Sequence, residues 1–261
     1  MNQQERCLWL IRALLEELPQ YGDTPIPALP DRRWRLLRSL MNVRPPLPTS
    51  DEFLRVQDAF LQEMTAEKGI VDASALPAGR EEQLVLWQGD ITRLRCDAIV
   101  NAANGQMLGC FSPCHGCIDN IIHTMAGVQL RLACAELMER QGREEPAGRA
   151  KITPGFNLPA KYVLHTVGPI VDGPLTREHE RLLSSCYRSC LSLAKEKGCG
   201  SVAFCCISTG VFMFPNQRAA EIAVRTVRAW LAETGSRMRV VFNVFKDLDR
   251  DIYERLLNGE A

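Results

Sequence analysis

The spacing of apolar residues changes along the chain, and the change falls near residue 75. Before it, apolar residues recur at helical intervals, as over residues 7–18, which is the pattern of an amphipathic helix. Clusters of proline separate several such stretches. Pro19 is expected to end the first helix, Asp31 to cap the second and Ser50 to cap the third. We therefore predict a small helical N-terminal extension over residues 1–75.

Residues 76–261 show a different pattern, in which short β-prone apolar runs alternate with helical periodicity. The apolar runs are residues 84–87, 98–100, 162–167, 202–207 and 240–245. The helical periodicity covers residues 118–140, 178–197, 215–233 and 247–257. Nearly continuous apolar strands interleaved with helices are typical of a mainly parallel sheet covered on both faces. Ligands of such sheets bind outside the carboxyl ends of the strands.

Charge and composition exclude some classes of function. The chain has 261 residues, of which 46% are hydrophobic, with 31 basic and 31 acidic residues and a pI near 6.9. Because no run of like charge occurs, we expect no nucleic-acid arm and no membrane-binding patch. Charges interrupt the apolar residues near the start, so we expect no secretion signal. The 11 cysteines then indicate reduced thiols and a cytoplasmic protein.

One segment carries metal-ligating residue types at short spacing. Residues 109–123 contain Cys110, Cys114, His115 and Cys117, just after a predicted strand and just before a predicted helix. Zinc binds cysteine sulfur and histidine nitrogen, so a loop of this length can hold one ion. Four protein ligands would make the site structural, whereas three would leave a position open for catalysis.

Polar residues follow three of the predicted strands, at residues 88–92, 101–105 and 208–212. By the rule for parallel sheets, these strand ends converge at one edge. Each also has an ordinary interpretation: a turn capped by Asp90, loop bracing by Asn101 and Asn104, and a plain strand–helix connection. Gly210 could instead let backbone amides surround a phosphate beside the next helix. Taken together, beside the possible zinc loop, the three strand ends form a specific pattern.

These motifs, in this order, carry a family resemblance. Gly-Asp-Ile-Thr at 89–92, Val-Asn-Ala-Ala-Asn at 100–104 and Ser-Thr-Gly-Val-Phe at 208–212 resemble the macrodomain, an ADP-ribose-binding fold, over roughly residues 83–257. Residues 109–123 resemble its zinc-containing branch, the microbial mono-ADP-ribosyl hydrolases often encoded beside a sirtuin-type ADP-ribosyltransferase. The resemblance implies a three-layer α/β/α macrodomain with a mostly parallel mixed sheet, preceded by the helical extension.

The resemblance implies roles for the first two strand ends. Asp90 would accept a hydrogen bond from the adenine amine, and Ile91 would supply backbone beside the ring. Asn104 would face the distal ribose. Asn101 would brace the loop.

The diphosphate is implied to lie between two further segments. Phe212 would pack on the ribose end, although it could equally be a core residue beside Phe214. Ile118 and Asp119 would lie against the diphosphate and the distal ribose, although Asp119 could also cap the helix that follows. Backbone amides would surround the diphosphate at Ser208, Thr209, Gly210 and Val211.

For the metal, the resemblance implies one zinc ion held by Cys110, His115 and Cys117, in the family pattern Cys-x4-His-x-Cys. Cys114 is an additional thiol that the pattern does not require, and as a fourth ligand it would make the site structural. With three ligands, the open position could take a hydroxyl of the distal ribose, the linkage oxygen or a water. The zinc would act there as a Lewis acid.

The implied activity is zinc-dependent removal of mono-ADP-ribose from modified proteins, by cleavage of the C1″ linkage of the distal ribose. Asn104 and the three zinc ligands would form the catalytic set. The target would be a mono-ADP-ribosylated protein, such as a lipoyl carrier protein related to the glycine cleavage H protein. The alternatives are an ADP-ribose reader with a structural zinc, and a hydrolase of small ADP-ribose derivatives.

Overall fold

The computed structural model describes residues 1–259, and its N-terminal part consists of three helices. They are α1 (Gln3–Glu17), α2 (Pro30–Val43) and α3 (Asp51–Lys68). Ser50 caps α3 as predicted, because its hydroxyl accepts a hydrogen bond from the Phe53 N–H at 3.1 Å. The prediction for Asp31 was wrong: Pro30 already occupies the first turn, and Leu29 precedes it without a side-chain cap.

The three N-terminal helices enclose a core of their own and also pack on the rest of the chain. Their buried cluster contains residues of all three helices together with Val128 of the following domain. Trp34 and Met64 contact both this cluster and the main core. The extension therefore lies against the sheet domain.

The main sheet has six strands in the order β2-β8-β7-β4-β6-β5. All neighbouring pairs are parallel except β5 with β6, so the sheet is mixed but mostly parallel, as predicted. Two short strands, β1 and β3, pair separately. The strand bounds are β1 Val71–Asp72, β2 Leu84–Gln88, β3 Leu94–Arg95, β4 Ala98–Ala103, β5 Ala150–Pro154, β6 Tyr162–Val167, β7 Ser201–Phe204 and β8 Arg239–Val244.

The apolar pattern missed β5 and overextended β7. β5 reads Ala-Lys-Ile-Thr-Pro, which is half polar and ends in proline, as suits an edge strand. β7 ends at Phe204, although the apolar run continues through Cys205, Cys206 and Ile207. Those residues leave the sheet and lead into the loop that follows.

Five further helices are α4 (Ile118–Ala126), α5 (Val128–Gln141), α6 (Arg177–Glu196), α7 (Asn216–Thr234) and α8 (Asp247–Asn258). The prediction of one helix over residues 118–140 was wrong, because Gly127 separates α4 from α5 with φ of +94°. A Cβ at Gly127 would lie 2.6 Å or less from the Gln57 and Gln129 side chains. Only glycine suits both that backbone region and that space.

The sheet and its covering helices share one large core, which includes Val100, Leu164 and Val241. The polar residues that follow β2, β4 and β7 lie at the carboxyl ends of parallel strands. Within residues 1–259 no helix is both long enough and apolar enough to span a bilayer.

Candidate active site at the strand ends

The metal loop, residues 109–117, connects β4 to α4 and brings together the three predicted ligands. The ligand atoms of Cys110, His115 and Cys117 all lie within 4.8 Å of one another. Cys117 also caps α4, since its Sγ accepts a hydrogen bond from the Asn120 N–H at 3.4 Å. The start of α4 thus fixes the position of Cys117, and the fold of the loop brings Cys110 and His115 close to it.

Cys114 lies in the same loop but outside this group. Its backbone has φ of +53°, and its Sγ lies 3.3 Å from the Ser39 Oγ of α2. The Cys114 N–H donates to the Asn42 Oδ1 at 2.9 Å, and its thiol donates to the Arg35 carbonyl at 3.4 Å. The thiol therefore bonds to α2.

The three clustered donors fit a zinc ion. Two sulfur atoms and one imidazole nitrogen are ligands that zinc prefers, and a three-ligand protein site leaves one position for a substrate or water. Burial, followed by the effect of neighbouring Cys110, raises the pKa of Cys117 to about 12. Because the metal binds a thiolate, metal binding must displace a proton there.

Asn101 near the end of β4 and Asn104 directly after it make different contacts. Asn101 is fully buried, and its Nδ2 donates to the Asp119 Oδ1 at 2.7 Å. Asn104 is half-buried and closes its own loop: its Oδ1 accepts from the N–H groups of Gln106 and Met107, and its Nδ2 donates to the Gly109 carbonyl at 3.3 Å. Asn104 thus fixes the entry of the metal loop.

Asp119 turns into the interior and does not cap α4, a role taken by Cys117. Burial raises the pKa of the Asp119 carboxyl to about 6, and the hydrogen bond from Asn101 opposes that rise. Ile118, the first residue of α4, is half-buried beside the metal loop. The Asp119 Oδ2 accepts no hydrogen bond from the described residues and is not among the fully buried atoms, so the carboxylate can still contact a ligand at this helix start.

Beneath the metal loop lies a second, buried group of potential ligands, His123, Cys134 and His165. His165 is hydrogen-bonded to Thr153 and Asn101, and burial lowers its pKa to about 3. Neither ring nitrogen of His123 has a hydrogen-bond partner among the described residues, although its Nε2 lies 3.5 Å from the Asp119 Oδ1, and a cavity of about 10 Å³ adjoins the ring. The His123 ring packs against Gly109, where an added Cβ would lie 2.8 Å from it, so this group lies directly beneath the start of the metal loop.

The amide loop, residues 208–214, follows β7. The N–H groups of Gly210, Val211 and Phe212 have no acceptor within residues 1–259. Ser208 has φ of +66°, and its Oγ is buried without a partner in the same part of the chain. Three free amides in a row, next to the start of α7, form a site suited to an anion.

Thr209 and Phe212 also lie in the amide loop. The Thr209 hydroxyl donates to the Cys206 carbonyl at 3.0 Å, which anchors the loop to the end of β7. Phe212 is half-buried, whereas Phe214 is fully buried in the core. Val211 is 69% exposed. Phe212 therefore lies at the surface of the loop, where it can contact a ligand.

After β2, Asp90 makes the turn that was one of its two predicted roles. Its Oδ1 accepts from the Thr92 N–H at 3.0 Å and the Thr92 hydroxyl at 2.6 Å. The Asp90 Oδ2 accepts no hydrogen bond within the described part of the chain, and the Ile91 N–H is likewise free of an internal acceptor. The Asp90 carboxylate is a hydrogen-bond acceptor and the Ile91 N–H is a donor. Together they can bind a ring that presents one donor and one acceptor on the same edge.

Sequence reasoning missed Phe245 and Arg38. Phe245 follows β8 directly, beside β2, and is 75% exposed. Its carbonyl accepts a hydrogen bond from the Gln88 Nε2, so it lies next to the Asp90 end of the site. The apolar run over residues 240–245 had placed it inside the strand, whereas β8 ends at Val244. Arg38 contacts the metal loop from α2, and nothing in the sequence near the loop indicates that contact.

The fold and this edge define an α/β/α domain in which a loop of backbone amides without acceptors in the described residues and a cluster of metal-ligating side chains lie at one end of the parallel strands. A family model for the Macro domain matches residues 100–223. The chain is 57% identical to a protein-ADP-ribose hydrolase of Treponema medium, over 99% of this chain and 100% of that protein. It is 49% identical to a protein-ADP-ribose hydrolase of Staphylococcus aureus, over 100% and 98%. The chain belongs to the Macro domain family.

Two solved macrodomain structures are also similar to this chain. The macrodomain of Oceanobacillus iheyensis with ADP superposes with a TM-score of 0.60 at 40% identity, covering 67% of this chain and 89% of that one. The macrodomain of Trypanosoma brucei in complex with ADP-ribose gives 0.63 at 31% identity, covering 84% and 94%.

Proposed function

We propose that this enzyme, a protein-ADP-ribose hydrolase of the Macro domain family, removes mono-ADP-ribose by cleaving the C1″ linkage with the help of a bound zinc ion. The hydrolase activity follows from relatives of that name that match over the whole chain. The zinc requirement and the cleavage at the C1″ linkage go beyond the names of those relatives. The observation that supports the zinc requirement is the cluster of Cys110, His115 and Cys117 within 4.8 Å, with Cys114 directed to α2.

The strand ends suit the rest of an ADP-ribose molecule. Asp90 and Ile91 offer an acceptor and a donor for the adenine edge, and exposed Phe245 offers a face for stacking beside them. The free amides at Gly210, Val211 and Phe212 suit the diphosphate. The distal ribose then lies towards Asn104 and the metal loop. The ligand spans the edge from β2 to α4.

In the proposed reaction, water adds to C1″ while the bond from C1″ to the protein side-chain oxygen breaks. The products are ADP-ribose and the unmodified side chain, which takes up the proton released by the water. Bound zinc would supply Lewis-acid polarisation of an oxygen at this centre. The chain itself holds the diphosphate by backbone amides, orients the ribose beside Asn104 and fixes the ligand geometry through Cys117 at the start of α4.

The proposal extends to the target and the compartment. We propose a mono-ADP-ribosylated protein with an acidic acceptor side chain, and a lipoyl carrier protein related to the glycine cleavage H protein as the first candidate. The eleven free cysteines support a cytoplasmic protein. A reader with a structural zinc is less favoured, since Cys114 bonds to Ser39 and Arg35.

The test is release of free ADP-ribose from a mono-ADP-ribosylated carrier protein, with zinc content assayed in parallel. We expect release by zinc-loaded enzyme, none after a chelator has removed the metal, and recovery when zinc is restored. Acetylated or phosphorylated ADP-ribose serves as the comparison substrate. Turnover of these small molecules without turnover of the modified protein would replace the proposed substrate. Undiminished release by folded, metal-free enzyme would refute the zinc mechanism.

A further inference from the structure

The N-terminal extension contacts the metal loop through one face of α2. The side chains involved are those of Arg38, Ser39 and Asn42, whose spacing puts them on one face of the helix, and the Arg35 carbonyl adds a backbone contact. The contacts join parts of the chain that lie more than 70 positions apart, since Arg38 to His115 spans 77 positions. The metal loop is therefore supported by an element outside the sheet domain.

Arg38 makes the most direct of these contacts. Its Nη2 donates to the His115 carbonyl at 2.9 Å and to the Asn120 Oδ1 at 2.7 Å, and its Nε donates to the same Oδ1 at 3.2 Å. Within residues 1–259 no other side chain hydrogen-bonds the His115 backbone. One guanidinium group thus holds a zinc-ligand residue and a buried amide together.

Asn120 carries this contact to the other side of the loop. It is fully buried, and its Nδ2 donates to the Ser112 carbonyl at 2.9 Å and to the Cys110 carbonyl at 3.4 Å. Its backbone N–H donates a hydrogen bond to the Sγ of Cys117, the residue that caps α4. Through Asn120, Arg38 is connected to the segments that bear all three ligands.

Asn42, one turn after Arg38, holds the middle of the loop. Its Oδ1 accepts from the Cys114 N–H at 2.9 Å, and its Nδ2 donates to the Thr124 hydroxyl at 3.0 Å. Thr124 in turn donates to the Asn120 carbonyl at 2.7 Å. α2 and α4 are therefore joined on both sides of the metal loop.

The loop needs such support because its backbone is strained at Cys114, a non-glycine residue with positive φ, and its third ligand is exposed. Gly109 and Cys114 have φ of +79° and +53°. His115 is exposed, and its one internal backbone hydrogen bond runs from its N–H to the Ser112 carbonyl at 3.2 Å. A metal site loses affinity when the groups that orient its ligands are removed.

We propose that Arg38 is a positioning residue of the metal site, and that the N-terminal extension acts on the reaction by holding His115 and Cys110 in ligating geometry through Arg38 and Asn120. The inference rests on the proposed zinc site. Lysine cannot replace this arginine, because one ammonium group does not present the paired donors that reach two acceptors in a fixed plane.

The test compares Arg38→Lys and Arg38→Gln with wild type and with Arg33→Gln. Arg33 lies on the same helix, but its Nε bonds to the Pro27 carbonyl within the extension. Zinc affinity is measured by competition with a chromophoric chelator, and thermal unfolding is measured with and without zinc. We expect both Arg38 variants to bind zinc about tenfold or more weakly, as is typical for loss of a supporting group. Arg33→Gln should bind zinc as wild type does.

Kinetics give the second measurement. With zinc in excess, the Arg38 variants should recover most of their kcat and keep the wild-type KM, since Arg38 acts on metal retention. Zinc affinity of Arg38→Lys equal to wild type would overturn the positioning role and leave the zinc mechanism intact. If the wild-type chain itself bound no zinc, the metal assignment and this inference would fall together. Equal loss in Arg33→Gln would mean a general loosening of α2 and would also overturn the inference.

Discussion

The metal loop and the amide loop lie at the same edge of the sheet but are held in different ways. The metal loop is hydrogen-bonded by side chains from α2 and α4, notably Arg38, Asn42 and Asn120. The amide loop is held mainly by its own backbone, and the N–H groups of Ser208, Gly210, Val211 and Phe212 have no acceptor within residues 1–259. Side-chain anchoring suits a site that must keep fixed ligand geometry, and free amides suit a site that takes an anion.

This difference predicts that metal binding and nucleotide binding can be separated by mutation. Changes in or under the metal loop should remove zinc and turnover while leaving ADP-ribose affinity largely intact. Changes in the amide loop or at Asp90 should weaken ADP-ribose binding while leaving zinc in place. The four tests below run from the largest expected effect to the smallest.

Cys117→Ala should abolish turnover and zinc binding, because it removes a ligand at the start of α4. ADP-ribose affinity, measured by calorimetry, should stay within a few-fold of wild type. Cys114→Ala is the matched control, since its thiol bonds to α2 and not to the ligand group. We expect one zinc per chain in that variant. Full activity in Cys117→Ala, or loss of zinc in Cys114→Ala, would contradict the ligand assignment.

Gly109→Ala should destabilise the metal loop. Gly109 has φ of +79°, and a Cβ there would lie 2.8 Å from the His123 ring. The left-handed backbone costs about 1–2 kcal/mol for alanine, and overpacking adds about 1–3 kcal/mol. Chemical denaturation should detect the loss, and zinc affinity should fall with it.

Gly116→Ala is the control for that substitution, since it lies between two ligands in the same loop. A Cβ at Gly116 would meet nothing within 4 Å. Its stability and zinc affinity should match those of wild type. Equal stability of both variants would mean that neither the positive φ of Gly109 nor the contact of an added Cβ with His123 excludes a side chain at this position.

Asp90→Ala should weaken ADP-ribose binding about 10- to 100-fold, the effect of losing a hydrogen bond to a charged group. Asp90→Asn keeps an oxygen for the Thr92 turn but loses the charge. If the ligand contact matters, both variants should lose affinity and the preference for adenine over hypoxanthine in calorimetry. Affinity restored by asparagine would reduce Asp90 to its turn-forming role. Zinc content should be unchanged in both.

Ser208→Ala should have the smallest effect, and it should weaken ADP-ribose binding without lowering the stability of the fold. The Ser208 Oγ is buried without a hydrogen-bond partner in the described part of the chain, so removing it should leave the free energy of unfolding unchanged or slightly raised. If that hydroxyl binds the ligand, ADP-ribose affinity should still fall about five- to tenfold, as expected for one neutral hydrogen bond. Unchanged affinity would mean that the amide loop binds only through backbone groups.

The sequence predicted those parts of the site whose geometry is local. Cys110, His115 and Cys117 lie within one short loop, so the sequence could mark them as candidate ligands, and the family resemblance implied these three without Cys114. The strand ends were predictable because parallel strands place their carboxyl ends at one edge. The mainly parallel sheet followed from the apolar runs, whereas its mixed character was implied only by the family resemblance, since the apolar pattern missed the antiparallel strand β5.

What could not be predicted depends on contacts between distant segments. Cys114 faces α2 because Asn42 and Ser39 bind it, and those residues lie more than 70 positions earlier in the chain. The break at Gly127 reflects crowding by Gln57 of α3, which the periodicity of residues 118–140 does not reveal. Arg38 was missed for the same reason.

The most direct test of the account is to titrate zinc into metal-free enzyme and to follow two quantities in the same samples, the rate of ADP-ribose release from a modified protein and the affinity for free ADP-ribose. The account predicts that release rises from zero to a plateau at one zinc per chain, while ADP-ribose affinity changes no more than a few-fold. Release that does not depend on zinc, or ADP-ribose binding that appears only when zinc is bound, would contradict it.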